Sequence, residues 1–155
     1  MSRLPTRDAF RFSHPVAVRF RDLDPMGHAH HSLPLMYWEE ARARYWKEVA
    51  GRQDVAAIDY VMGEFTLRWH QRITFPATLE ARVRVTRLGR KSFDMEYGLW
   101  DADGRLMSSG ASTQVMFDYE AGRSKPLDPE TRSRIEAFEG GGLSEATGSP
   151  GSRPG

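Results

Sequence analysis

There is no cysteine among the 155 residues. Disulfides, thiolate catalysis and cysteine-ligated zinc are therefore excluded. The absence is compatible with a reducing compartment, and a cytoplasmic location is the expectation. No apolar run approaches the roughly 18 residues of a spanning helix, so no membrane span is expected. The opening MSRLPTRDAFRF carries charge without an apolar stretch and does not read as a secretory signal. Excess charge of one sign is lacking too. With 22 basic and 21 acidic residues the net charge is +1, which gives no electrostatic case for nucleic acid as the main partner. There is no glycine-rich phosphate loop, since Leu88-Gly89-Arg90-Lys91 is too short to count as one, and no internal repeat.

What is present suits one globular domain. The apolar fraction is 39%, and a chain of this length buries about two-thirds of its unfolded surface. Residues 1–13 read as an irregular lead-in, residues 14–138 as the domain, and residues 139–155 as a flexible Gly/Ser/Pro tail too poor in apolar side chains to order itself.

From His14 the chain alternates, with Val16, Val18 and Phe20 on one face, as in a half-buried strand. A helix follows. Ser32 is placed as its N-cap, Pro34 is tolerated only in a first turn, and Gly51 marks the stop. Tyr37, Ala41, Tyr45 and Val49 form its apolar stripe, with Trp38 beside them. Strands are expected over Tyr60–Trp69, Thr78–Leu88, Ser92–Trp100 and Arg105–Asp118, with a turn at Asp101–Gly104. Their inward faces are read as Val61/Phe65/Leu67/Trp69, Leu79/Ala81/Val83/Val85, Phe93/Met95/Tyr97/Leu99 and Met107/Ser109/Ala111/Thr113/Val115/Phe117. Asp128 caps a short helix running to about Phe138. The fold class is α+β: a mostly antiparallel sheet wrapped around one long central helix.

Between the first strand and the helix lies DLDPMGHAHH, residues 22–31, the densest group of chemically capable side chains. A helix start offers unpaired amides and a positive dipole end to a developing oxyanion. A carboxylate just upstream, Asp24, could attack an acyl carbonyl or activate water. Two other readings compete. Asp-x-Asp after a strand is also ordinary turn chemistry, above all for Asp22. Asp22, Asp24, His28, His30 and His31 could instead form a metal-dependent hydrolase site, although they lack the helical His spacing of a zincin.

The segment VRFRDLDPMGHAHHSLPLMYWEEAR resembles the signature of the hotdog-fold acyl-CoA thioesterases of the 4-hydroxybenzoyl-CoA thioesterase type. That signature is a strand, Asp-x-Asp-x-x-Gly (here Asp22, Asp24, Gly27), and a helix carrying an aromatic-Glu-x-Ala-Arg stretch near Trp38–Arg42. LGRKSFDMEYGLWDADGRLMSSGASTQVMFD is similar to the family's closing hairpin, and the resemblance spans roughly residues 14–120.

The resemblance implies a hotdog fold and hydrolysis of an acyl-CoA or acyl-carrier-protein thioester, with no cofactor and no metal. It implies Asp24 as the catalytic carboxylate. The His31 backbone amide would polarise the carbonyl and the His31 imidazole would orient water, while Gly27 would let the loop approach the acyl group. It further implies a homodimer under one continuous sheet, or a homotetramer. Arg87, Arg90 and Lys91 are candidates for the phosphates of coenzyme A, or else an ordinary solvated hairpin tip. The sequence departs from the family at Phe20, where some branches have Tyr, at Ala29-His30-His31, and at Pro76-Ala77, which bears on specificity rather than class. Other hotdog thioesterases carry the carboxylate on the helix, which would nominate Glu39 or Glu40. A non-catalytic acyl-CoA binder is the alternative from another class.

Overall fold

A computed structural model describes residues 3–143; most of the expected tail lies outside the described residues. Strands β1 (Phe12–Ala17), β2 (Tyr60–Trp69), β3 (Thr78–Leu88), β4 (Ser92–Trp100), β5 (Leu106–Asp118) and the short β6 (Arg123–Ser124) form one antiparallel sheet. The order is β1-β3-β4-β5-β2, with β6 beside β5. Helix α1 (Leu33–Glu48) lies in the curl of the sheet, and α2 (Pro129–Glu139) closes one end. This is the α+β hotdog fold expected from the sequence.

Helix α1 buries Tyr37, Trp38, Ala41, Tyr45 and Trp46, so its stripe packs as the spacing predicts. Gly51 takes a left-handed φ of 83° beyond its end. The rings interlock. Trp46 stacks on Phe93 at 5.0 Å, and Trp38 lies 5.8 Å from Phe65 and 5.3 Å from Tyr97. Full burial of one such side chain contributes about 1.5–3 kcal/mol.

Three expectations need correction. Strand β1 ends at Ala17, and Phe20 stands in a 3-10 turn, 76% exposed. The turn is closed by the Arg19 amide donating to Asp22 Oδ2 at 2.8 Å, so the alternation stops there. Strand β5 changes face. Trp100 pairs with Leu106 and Leu99 with Ser108, which leaves Met107 as an extra residue. Beyond that bulge Ser112, Gln114 and Met116 point inward rather than Ala111, Val115 and Phe117. Strand β2 repeats the device at Gly63, so Tyr60 is buried before the bulge while Phe65 and Leu67 turn inward after it.

The lead-in is built rather than irregular. Residues Arg7–Ala9 form a 3-10 turn, and Phe10 is buried edge-on against Trp100 at 5.5 Å. At the other terminus α2 extends through Glu139. This side chain is buried and accepts from the Tyr45 hydroxyl at 2.7 Å and the Val85 amide at 3.0 Å. The expected start of the tail at residue 139 therefore falls inside a helix.

The strand directions gather one set of loops. Ala17, Thr78, Trp100, Leu106 and Trp69 all lie at the same end of the sheet. The loops 18–32 and 70–77 meet there, beside the start of α1.

Candidate active site

The loop after β1 is tied by its own backbone. Asp24 N–H donates to the His28 carbonyl at 3.0 Å, and Gly27 N–H to the Asp24 carbonyl at 3.0 Å. Ala29 N–H reaches Ile73 O at 2.8 Å, joining this loop to the one after β2. Gly27 has a φ of 87°, and a Cβ built there meets nothing within 4 Å. Conformation, not crowding, requires the glycine. It does not line the cavity described below.

The two aspartates are used differently. Asp22 Oδ2 accepts from the Arg19 amide and from the Tyr37 hydroxyl, each at 2.8 Å, which is structural turn chemistry. Burial, then the bond to Asp22, pushes the Tyr37 hydroxyl pKa well up, so it stays a donor. Asp24 Oδ1 accepts from the Met26 amide at 2.9 Å. Among the described residues its Oδ2 has no hydrogen-bond partner.

Asp24 opens onto a cavity of about 380 Å³ that it shares with His28, His30, His31, Pro34 and the run Trp69–Ile73. Trp69 Nε1 donates to the His31 carbonyl at 2.9 Å, and its ring meets the His31 ring edge-on at 6.2 Å. His70 Nε2 is bonded to Ser109 Oγ at 2.8 Å. His70, Gln71 and Arg72 escaped the sequence reading; the polar run His-Gln-Arg directly after a strand was the signal that could have found them.

The helix start is less open than expected. Leu33 N–H is bonded to His30 O and Leu35 N–H to Ser32 O, and Pro34 has no N–H. Ser32 holds the N-cap position without a side-chain cap bond. Its Oγ and its amide both turn to His30 Nδ1, at 2.9 and 3.2 Å. The His31 N–H alone in this stretch has no acceptor among the described residues.

The other candidates lie elsewhere. Glu39 and Glu40 face a separate groove of about 660 Å³ between α1 and β1, where Glu40 pairs with His14. Arg87, Arg90 and Lys91 stand at the opposite end of β3, about 33 Å along the strand from Thr78. Arg87 is held there by both carboxylate oxygens of Asp94, at 2.9 and 3.2 Å. One chain does not bring these three to Asp24. Nor does any group of three His, Asp or Glu side chains among the described residues stand close enough to hold a metal ion, so the Asp/His loop is not assembled as a metal centre.

Asp24 and His31, whose Oδ2 and backbone N–H have no partner among the described residues, thus line one cavity near a helix start, within a hotdog fold. Comparison with known proteins bears on the fold and the family. Residues 18–135 match the thioesterase-like superfamily, and the chain belongs to it. It is similar to a thioesterase from Thermus thermophilus whose crystal structure is complexed with coenzyme A and Zn. The identity is 32%, the TM-score 0.78, and the match covers 86% of this chain and 97% of that one. It is 24% identical to the uncharacterized protein YsmA of Bacillus subtilis (strain 168), over 83% of this chain and 88% of that protein. A DHNA-CoA thioesterase from Staphylococcus aureus shares the fold, with a TM-score of 0.73 at 17% identity, covering 82% and 91% of the two chains. Family membership makes this protein a thioester hydrolase by class.

Proposed function

We propose that the protein is an acyl-CoA thioesterase of the 4-hydroxybenzoyl-CoA type, with Asp24 as the catalytic carboxylate. The observation that carries this reading is that, among the described residues, Asp24 Oδ2 and the His31 N–H have no hydrogen-bond partner, and that both residues line one cavity. As general base, Asp24 takes a proton from water while the water oxygen bonds to the thioester carbon. As nucleophile, it bonds to that carbon itself, and water then hydrolyses the anhydride. In either course the His31 amide holds the oxyanion, the C–S bond breaks, and coenzyme A leaves as a thiolate that needs no strong acid. The products are the free acid and coenzyme A.

The coenzyme A bound by the Thermus relative supports a CoA donor. A carrier-protein donor is distinguished by assaying both. The zinc of that structure finds no matching donor set among the described residues here.

A homodimer through β2 belongs to the same reading. Of the two sheet edges, β1 carries Pro15 and is flanked by the His14–Glu40 pair. Strand β2 has ten residues and presents Met62 and Trp69 to solvent. Antiparallel pairing of β2 with its copy reverses one sheet against the other. The far end of one protomer, with Arg90 and Lys91, then stands toward the Asp24 end of its partner, where it can take the phosphates. Pairing of two such dimers gives the homotetramer.

The test is thiol release from acyl-CoAs by the wild type and Asp24→Asn. Release by the wild type alone supports the reading. Equal rates overturn the role of Asp24, and binding of acyl-CoA without release by either protein supports a non-catalytic binder.

A further inference from the structure

The cavity beside Asp24 is unevenly charged. Asp24 is the one acidic residue that lines it, whereas His28, His30, His31 and His70 bring imidazoles and Arg72 a guanidinium. Other arginines are spent on ion pairs: Arg7, Arg52, Arg82, Arg84 and Arg87 each meet a carboxylate oxygen at 2.9 Å or less. Arg72 is exposed, and its guanidinium makes no hydrogen bond or ion pair among the described residues.

The chain on either side of Arg72 is pinned. Gln71 N–H donates to Met107 O at 3.1 Å, and Ile73 O accepts from Ala29 N–H at 2.8 Å. Ile73 is buried. The backbone is thus fixed at a cavity wall while the guanidinium stays unspent. Its planar fork of parallel donors matches a carboxylate better than any other side chain does. The phosphates of coenzyme A are remote from this position. About thirteen bonds of pantetheine separate the thioester sulfur from the nearest phosphorus, roughly 15 Å at the extended-chain rise of ~3.5 Å for every three backbone bonds. Arg72 shares a cavity of about 380 Å³ with Asp24. The acyl side of the thioester is the side that can bring an anion so close to the reacting carbon.

Resting on the thioesterase reading, we infer that Arg72 is a specificity-determining residue and that the acyl group carries a carboxylate of its own. The substrate is then the coenzyme A monothioester of a dicarboxylic acid. Asp24 by itself would repel such an acyl group. The guanidinium on the same cavity offsets that repulsion and holds the distal carboxylate, so the carbonyl is presented to Asp24 and the His31 amide. The bonds made and broken are those of the proposed hydrolysis, and the free product is a dicarboxylic acid.

The experiment compares glutaryl-CoA with pentanoyl-CoA, which have the same chain length and differ in the terminal carboxylate. kcat/KM is measured for wild type, Arg72→Gln and Arg72→Glu. The wild type is expected to prefer glutaryl-CoA roughly tenfold or more, and Arg72→Gln to lower that ratio roughly 10- to 100-fold, the range that one hydrogen-bonded charged group contributes. Arg72→Glu should fall further on glutaryl-CoA and favour β-alanyl-CoA, whose terminus is an ammonium. A merely structural arginine would lower all three substrates together, and that result overturns the inference. The same pair presented as pantetheine thioesters locates the anion. A glutaryl preference that persists there and is lost in Arg72→Gln supports the acyl carboxylate. An Arg72→Gln effect equal for both acyl groups and confined to the CoA thioesters assigns the arginine to phosphate and overturns the inference, as does a wild type with no preference. Calorimetry with S-(4-carboxybutyl)-CoA and S-pentyl-CoA, thioethers that cannot be hydrolysed, separates binding from turnover. Tighter binding of the carboxylated thioether, with no thioester hydrolysed, supports the subsite and overturns the thioesterase reading alone.

Discussion

The hydroxyl of Tyr37 donates to Oδ2 of Asp22 at 2.8 Å, and that one bond separates the two aspartates of the loop. Asp22 is spent on holding the turn against α1. Asp24, two residues on, keeps one oxygen for the cavity. Asp24→Asn is therefore expected to lose nearly all thiol release with its melting temperature within a degree or two of the wild type. Asp22→Asn should do the reverse in kind, costing about 1–2 kcal/mol of stability through bonds weakened at a partly buried acceptor. Paired denaturation curves and turnover assays check both.

Under the proposed mechanism Trp69 positions the His31 amide. Its Nε1–H fixes the His31 carbonyl, and with it the attitude of the residue whose N–H is free. Trp69→Phe keeps the ring and removes the donor. A kcat lowered about three- to tenfold with KM little changed is the expected result, consistent with an interaction that matters in the transition state. A change in KM alone would contradict it.

The three basic residues of the β3–β4 hairpin should separate by role. Arg87 is already paired with Asp94 at both oxygens, so Arg87→Ala should lower stability. Arg90→Ala and Lys91→Ala should instead raise KM for acyl-CoA and leave acyl-pantetheine hydrolysis unchanged, because that substrate has no nucleotide phosphates. Steady-state kinetics on the two substrates decides this.

Glu80 titrates low. Hydrogen bonds from the Arg82 guanidinium first, then from Arg7 and Ser13, hold its pKa at about 2, against the resistance of partial burial. The folded value lies below the unfolded one, so the stabilisation is fully present above the ordinary carboxylate pKa of about 4.3. It is lost as pH falls from there through about 2. Glu80→Gln should flatten the acid limb of a urea-midpoint profile in that window by about 1 kcal/mol, the size left after solvent screening.

Glu139 runs the other way. Burial raises its pKa above the usual carboxylate value, although the Tyr45 hydroxyl and the Val85 amide pull it down. The folded state thus holds this proton more tightly than the unfolded one, and the stability it contributes falls as pH rises through the folded pKa. Glu139→Gln should remove that decline. Denaturation midpoints across mildly acidic to neutral pH will show whether the slope is lost.

Much of the fold was legible in the chain itself. Strand β3 alternates four inward residues, Leu79, Ala81, Val83 and Val85, and all four are buried. The α1 stripe was equally plain. Such patterns are local, because a strand with one buried face repeats every two residues and a helix about every 3.6. The pattern failed where pairing was uneven. An extra residue at Met107 and another at Gly63 shift the phase of β5 and β2, and a bulge depends on the neighbouring strand rather than on the residues that bulge. Phe20 turned outward because a side chain two residues later captured the Arg19 amide.

For the site, the sequence by itself determined that Asp24 follows a strand and precedes a helix. It could not say which aspartate was free, that Pro34, His30 and Ser32 leave His31 as the open amide, or that Trp69–Ile73 supply the facing wall. Those depend on residues up to 49 positions apart along the chain, from Asp24 to Ile73, lining one cavity, which only the curled sheet brings together. The same sheet placed Arg87, Arg90 and Lys91 at the far end, since the direction of β3 carries the chain away from the loop that holds Asp24.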